Sequence, residues 1–156
     1  MYGYRSFPQK SATSQKRTRL IQLAFLVLSL TILVLIWFYV NASAFRDAYN
    51  RNVYRAIAVE ADSALSQHNN LSRTGGSNTE SVLGKVRQHV NAARVLVEQY
   101  ADLNGKVLID LNLFNSLSNV IDQYEIKKQA GQAVIQYHAD LTSMLESLSF
   151  LAHALS

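Results

Sequence analysis

Leu20 to Val40 reads LIQLAFLVLSLTILVLIWFYV, twenty-one residues without a charge, and no other feature limits so strictly what this chain can become. At about 1.5 Å per helical residue the stretch is about 31 Å long, the thickness of a bilayer's hydrocarbon core. Fifteen of its residues are Leu, Ile, Val or Phe, and each favours insertion by roughly 0.3–0.6 kcal/mol, about 5–9 kcal/mol together. Gln22, Ser29 and Thr31 do not cancel that sum. The sequence therefore predicts a membrane-spanning helix that runs from Leu20 through Leu30 to Val40. Trp37 and Tyr39 fall where amphipathic rings prefer the headgroup level.

The flanks give an orientation. Arg5, Lys10, Lys16, Arg17 and Arg19 precede the span with no acid among them, against Arg46, Arg51 and Arg55 just after it. By the positive-inside rule the amino terminus is expected in the cytoplasm and the rest outside. Residues 1–19 mix Ser, Thr, Gln and basic side chains around Pro8, without apolar periodicity, and are expected to be a disordered basic cytoplasmic tail. Ala42-Ser43-Ala44 resembles a signal-peptidase site, but signal cores are about 7–15 residues long. The longer run, with Trp37, Phe38 and Tyr39 just before the supposed site, favours an uncleaved signal anchor.

The other ten Lys/Arg oppose all eleven Asp/Glu, a formal balance of −1 beyond the tail. The overall charge of +4 thus belongs to the flank of the span, and the sequence offers no nucleic-acid surface. Cysteine is absent, which excludes disulfides and thiolate chemistry. Residues 41–156 suffice for one extramembrane domain held together by packing alone.

The pattern of that domain is helical: an all-α fold is expected, one amino-terminal transmembrane helix followed by a bundle of three or four amphipathic helices. From Asn41 to Gln67 neither Gly nor Pro interrupts a helical spacing of Ala, Tyr, Val and Ile, so the membrane helix is expected to continue into the domain. His68 to Asn78 (HNNLSRTGGSN) reads as a loop, and Ser77 with Glu80 as a capping box opening the next helix. Val86, Val90, Ala93, Val97 and Tyr100 form a four-three seam. At Asn104-Gly105 two outcomes stay open, since the seam keeps phase through Val107, Leu111 and Phe114: a reversal, which burial of more apolar surface favours, or one rod with a mid-helix glycine. A second turn is expected at Glu125 to Gln129. Beyond it, Ala130, Val134, Tyr137, Leu141, Met144, Leu148, Leu151 and Leu155 predict a strongly amphipathic last helix.

Candidate chemistry is sparse. His68, His89, His138 and His153 never stand at i,i+4, so a helical zinc site is not indicated and loop or surface positions are expected. Glu98 with Asp102, and Asp122 with Glu125, share helix faces but read as solvated. Ser143, Ser147 and Ser149 lack a nucleophile motif, Gly75-Gly76 lacks the residues of a phosphate loop, and the triplets at Asn41 and Asn70 match a glycosylation pattern that is common by chance. Tyr49, Tyr54, Tyr100, Tyr124 and Tyr137 fit core positions with hydroxyls at the rim. No cofactor, metal or catalytic residue is assigned.

These features favour a single-pass membrane-anchored interaction protein, a scaffold or accessory subunit whose partners are the bilayer and another membrane or envelope protein or a second copy. A small-molecule substrate is not indicated. The absence of a second span before Ser156 argues against a membrane sensor with its own output domain, although an extracytoplasmic ligand-sensing bundle acting through a separate partner remains the alternative; an enzyme ranks last. Leu148, Leu151 and Leu155 are the candidate interaction surface, because the last apolar stripe is longer than a small bundle needs.

Overall fold

The computed structural model describes residues 12–71 and 78–155. Among these the chain is helical, with no strand. The helices are α1 (Ala12–Leu71), α2 (Thr79–Asn104), α3 (Leu111–Gln129) and α4 (Ile135–His153). The chain divides into two units between Arg46 and Asp47.

The first unit contains the apolar part of α1, one helix long and apolar enough to cross a membrane. Its large side chains are exposed throughout, Leu30 at 59% and Trp37 at 63%. Two of its polar residues are satisfied locally: Ser29 Oγ donates to the Leu26 carbonyl and Thr31 Oγ1 to that of Val27, each at 2.9 Å. These bonds lower the cost of placing hydroxyls in hydrocarbon, where no water is available to pair them. The helix begins at Ala12, not Leu20, because elongating an existing helix costs far less than nucleating one and Gln15, Lys16, Arg17 and Arg19 are good helix formers. The expected disorder of residues 1–11 lies outside the described residues.

The second unit is an antiparallel four-helix bundle, and cross-helix bonds define its order. α1 meets α2 through Tyr54–Tyr100 and Glu60–His89. α2 meets α3 through Arg87–Asp122 and Arg94–Asn115, and α3 meets α4 where the Tyr124 and His138 rings approach. α4 closes the ring on α1 through Asp62–Ser149 and His68–Thr142. The α2 seam is buried as its spacing predicts, from Val82 through Val86, Val90, Ala93 and Val97 to Tyr100. It packs with Ile57, Ala61 and Ala64 of α1 and Phe114, Leu117 and Ile121 of α3.

Two helix ends explain the topology. Gly105 has φ +65°, and its N–H bonds the Ala101 carbonyl at 2.7 Å, the left-handed cap that ends α2. The chain therefore reverses, and the single-rod alternative is excluded. Val107, which the continuous seam would bury, is 54% exposed, while the connector packs Ile109 into the core. Asp110 caps α3 by accepting from the Asn112 N–H at 2.9 Å.

The second turn comes later than expected, after Gln129 instead of within Glu125 to Gln129. Gly131 at φ +68° carries a Schellman motif, with the Gly131 N–H on the Lys128 carbonyl and the Gln132 N–H on that of Lys127. Lys127 and Lys128 extend α3 because cations in a last turn complement the helix dipole. At the start of α2 the expected capping box rests on Ser77, which lies outside the described residues; α2 begins at Thr79, and Asn78 flanks it without a side-chain cap bond.

Candidate functional site

The end of the bundle farthest from Asp47 holds its most unusual side chain. Ile57, Ala61, Ala64, His68 and Leu71 recur at steps of four and three on the buried face of α1, so the helix continues past Gln67 and carries His68 into the core with no exposed surface. This corrects the expectation of a loop histidine. The Asn pair and the glycines that follow suggest an early stop, but burying Leu71 rewards one further turn.

The His68 ring lies against that of His138 on α4, with centroids 4.5 Å apart and planes 34° from parallel. His68 Nε2 is 2.8 Å from Thr142 Oγ1, and the Thr142 hydroxyl donates to the His138 carbonyl at 2.8 Å. A carbonyl only accepts, so the single hydroxyl proton is committed and Nε2–H of His68 must be the donor to Thr142. In the neutral ring, which burial favours, the proton of His68 is therefore on Nε2. Its Nδ1 carries a bare lone pair, buried and without a partner. Burial, together with the charge of His138, lowers the His68 pKa to about 4. Burial also raises the pKa of Tyr124, whose ring centroid is 6.4 Å from that of His138.

Beside this pair, Leu71, Tyr124, Val134, Ile135 and His138 line a cleft of about 240 Å³. The cleft is small and largely apolar. No carboxylate is bonded to His68, and an imidazole titrating near 4 is a weak general base at neutral pH. Among the described residues no group of three or more His, Cys, Asp or Glu is placed to hold a metal ion.

The other candidates resolve into structural pairs. Asp122 and Glu125 share one partner, Arg87, which donates to both from α2. Glu98 accepts from Arg94, one turn before it. His89 Nδ1 lies 2.7 Å from Glu60. Ser149 and His153 both approach Asp62, at 2.7 and 3.4 Å. In that cluster the serine donates to the carboxylate and has no imidazole acting as its base, so it lacks the order a nucleophile requires. Ser143, also exposed, supplies its carbonyl to the Ser147 hydroxyl.

The expected interaction surface divides. Leu148 is fully buried with Leu141, Leu145 and Ala152, and Leu155 packs partly against the same core. Leu151 is 41% exposed, and beside it Phe150, which the stripe omits, is 74% exposed. With Ser143, Glu146 and Ser147 these two line a shallow groove on α4. The buried stripe rotates onto Leu145 and Ala152 because α4 starts only at Ile135, which leaves Ala130 and Val134 outside the helix. Of the residues expected to span a membrane, Leu20, Leu30, Trp37 and Val40 all lie on α1 with exposed side chains. Comparison of the chain with protein-family models, with curated proteins and with solved structures gives no match.

Proposed function

We propose that this chain is a single-pass membrane protein, amino terminus in the cytoplasm, that displays its bundle outside as a scaffold or accessory subunit for another membrane or envelope protein. The observation carrying this reading is that every large apolar side chain from Leu20 to Val40 is exposed while the residues from Val53 onward build a core of their own. An apolar surface of that length suits a hydrocarbon solvent far better than water. The unequal basic flanks support the orientation, and exposed Phe150 and Leu151 on α4 are the contact face this reading uses.

Protease added to intact cells or spheroplasts should remove the part after Val40 and spare a tag at Met1; protection of the bundle would reverse the orientation. Crosslinking from a photoreactive residue at Phe150 in membranes should trap one defined protein, whereas the same residue at Asn119, exposed on α3, should not. Equal yields from both positions would remove the α4 contact face. A second reading, a ligand-sensing bundle that signals through a separate partner, draws support from the cleft beside His138. It requires that filling the cleft, by Val134→Trp, alter the partner complex while leaving the fold intact.

A further inference from the structure

Among the described residues the buried side chains of the bundle are aliphatic and aromatic except for Thr79, at the start of α2, and the imidazole of His68, where α1 ends. A neutral His68 is the better fit: Nε2–H is spent on Thr142, the ring faces His138, and the buried Nδ1 is an unpaired acceptor that carries no charge. A protonated His68 does not fit. The added proton sits on Nδ1, where the structure provides no acceptor, and an unpaired buried charge is far costlier than a buried neutral ring.

We propose that the His68–His138 contact is a proton-operated latch, in which uptake of one solvent proton at Nδ1 of His68 releases the last turn of α1 from α4 and opens the far end of the bundle. No covalent bond breaks. The proton is held at Nδ1 and the Nε2–H bond to Thr142 is given up as the ring moves into water.

The surroundings favour this direction from every side that the described residues present. α4 contributes His138, whose own charge opposes a second one 4.5 Å away, and Thr142, whose hydroxyl is committed. Asp140, also on α4, accepts from Gln136. α3 contributes the Tyr124 ring to the cluster, while its Glu125 is engaged by Arg87. At the start of α2, Glu80 is exposed. Burial and the His138 charge are the leading influences on His68 and both disfavour its cation; the His138 backbone only partly offsets them. If His68 regains its ordinary value of 6.5 once released, the open state gains on the closed one by about 100-fold between pH 7 and pH 4.

The chain has no cysteine, so spin labels can be attached at introduced thiols alone. In the full chain in lipid nanodiscs, a pair at Asn69 and Ile135 reports the far end, and a pair at Arg55 and Val95 reports the α1–α2 contact nearer Asp47; all four side chains are exposed. The Asn69–Ile135 distance should be narrow at pH 7.5 and become longer and broader towards pH 4, while the Arg55–Val95 distance holds. His68→Phe, which keeps a ring but cannot take a proton, should retain the short distance at pH 4. An Asn69–Ile135 distance that does not respond to pH overturns the proposal, as does an equal response from both pairs, which would be general acid unfolding. An equal response in His68→Phe would place the trigger elsewhere and also overturns it. Should His68→Phe not fold at pH 7.5, histidine-labelled wild-type protein decides by NMR: opening must follow the His68 ring titration, and a midpoint that follows another histidine overturns the latch.

Discussion

The hydroxyl of Tyr54 lies 2.8 Å from that of Tyr100, a tyrosine–tyrosine bond that fastens α1 to α2 with the two rings tilted 47° to each other. The bond raises the Tyr54 pKa, chiefly because ionisation would destroy it. Either Tyr54→Phe or Tyr100→Phe is expected to cost about 1 kcal/mol, as for a typical intramolecular hydrogen bond. The double variant should cost little more than either single one, since both remove the same bond. Urea melts of the four proteins check this. For the sign with pH, an acid whose folded-state pKa is raised keeps its contribution below its unfolded value near 10 and loses it as pH climbs beyond. Wild type should therefore lose stability above pH 10 more steeply than Tyr54→Phe.

Arg87 joins α2 to two carboxylates of α3, and it is the one cation shown bridging two acids between helices among the described residues. Its guanidinium presents several donors in a fixed plane, which a lysine ammonium does not reproduce. Because the Arg87 side chain is 37% exposed, water and salt screen the cluster. Arg87→Met should destabilise the bundle by about 1 kcal/mol at low salt and by clearly less in 1 M sodium chloride, with Arg87→Lys intermediate. Equal loss at both salt concentrations would mean that Arg87 contributes through packing of its stem.

Glycine substitutions should separate by sign. Gly105 stands at φ +65° with nothing within 4 Å of where a Cβ would go, so Gly105→Ala carries only the conformational cost of the left-handed region, about 1 kcal/mol. Gly84 lies inside α2, also with open space around it, and Gly84→Ala should stabilise by up to about 1 kcal/mol. Thermal melts of the two variants should move in opposite directions.

Leu141 is fully buried, and two residues along the same helix Ser143 is exposed. Leu141→Asp puts an unpaired carboxylate in the core and should abolish cooperative folding, a loss of about 4 kcal/mol or more. Ser143→Asp should stay within about 0.5 kcal/mol of wild type. Circular dichroism melts of the full chain in detergent distinguish the two.

What the amino-acid pattern determines by itself is the kind of element and where each turns its apolar side. The charge-free run from Leu20 to Val40, the α2 seam from Val86 to Tyr100 and the placement of Leu117 and Ile121 all follow from hydrophobic period, a local property of the chain. Tertiary structure decides where period leaves a choice. The seam keeps phase across Gly105, so only the gain from folding α3 back against α2, with Ile109 buried at the bend, selects reversal over a rod. The same holds at the far end of the bundle, where Asn69, Asn70 and two glycines signal a stop after Gln67. Burial of Leu71 outweighs that local preference, and His68 is drawn inside with it. The partner of His68 lies seventy residues away on α4, and no spacing within one helix encodes a meeting that closure of the bundle brings about. Leu148 was legible as apolar but not as core, because α4 begins at Ile135 and its packing against α1 and α3 sets the rotation that buries Leu148 and leaves Phe150 exposed.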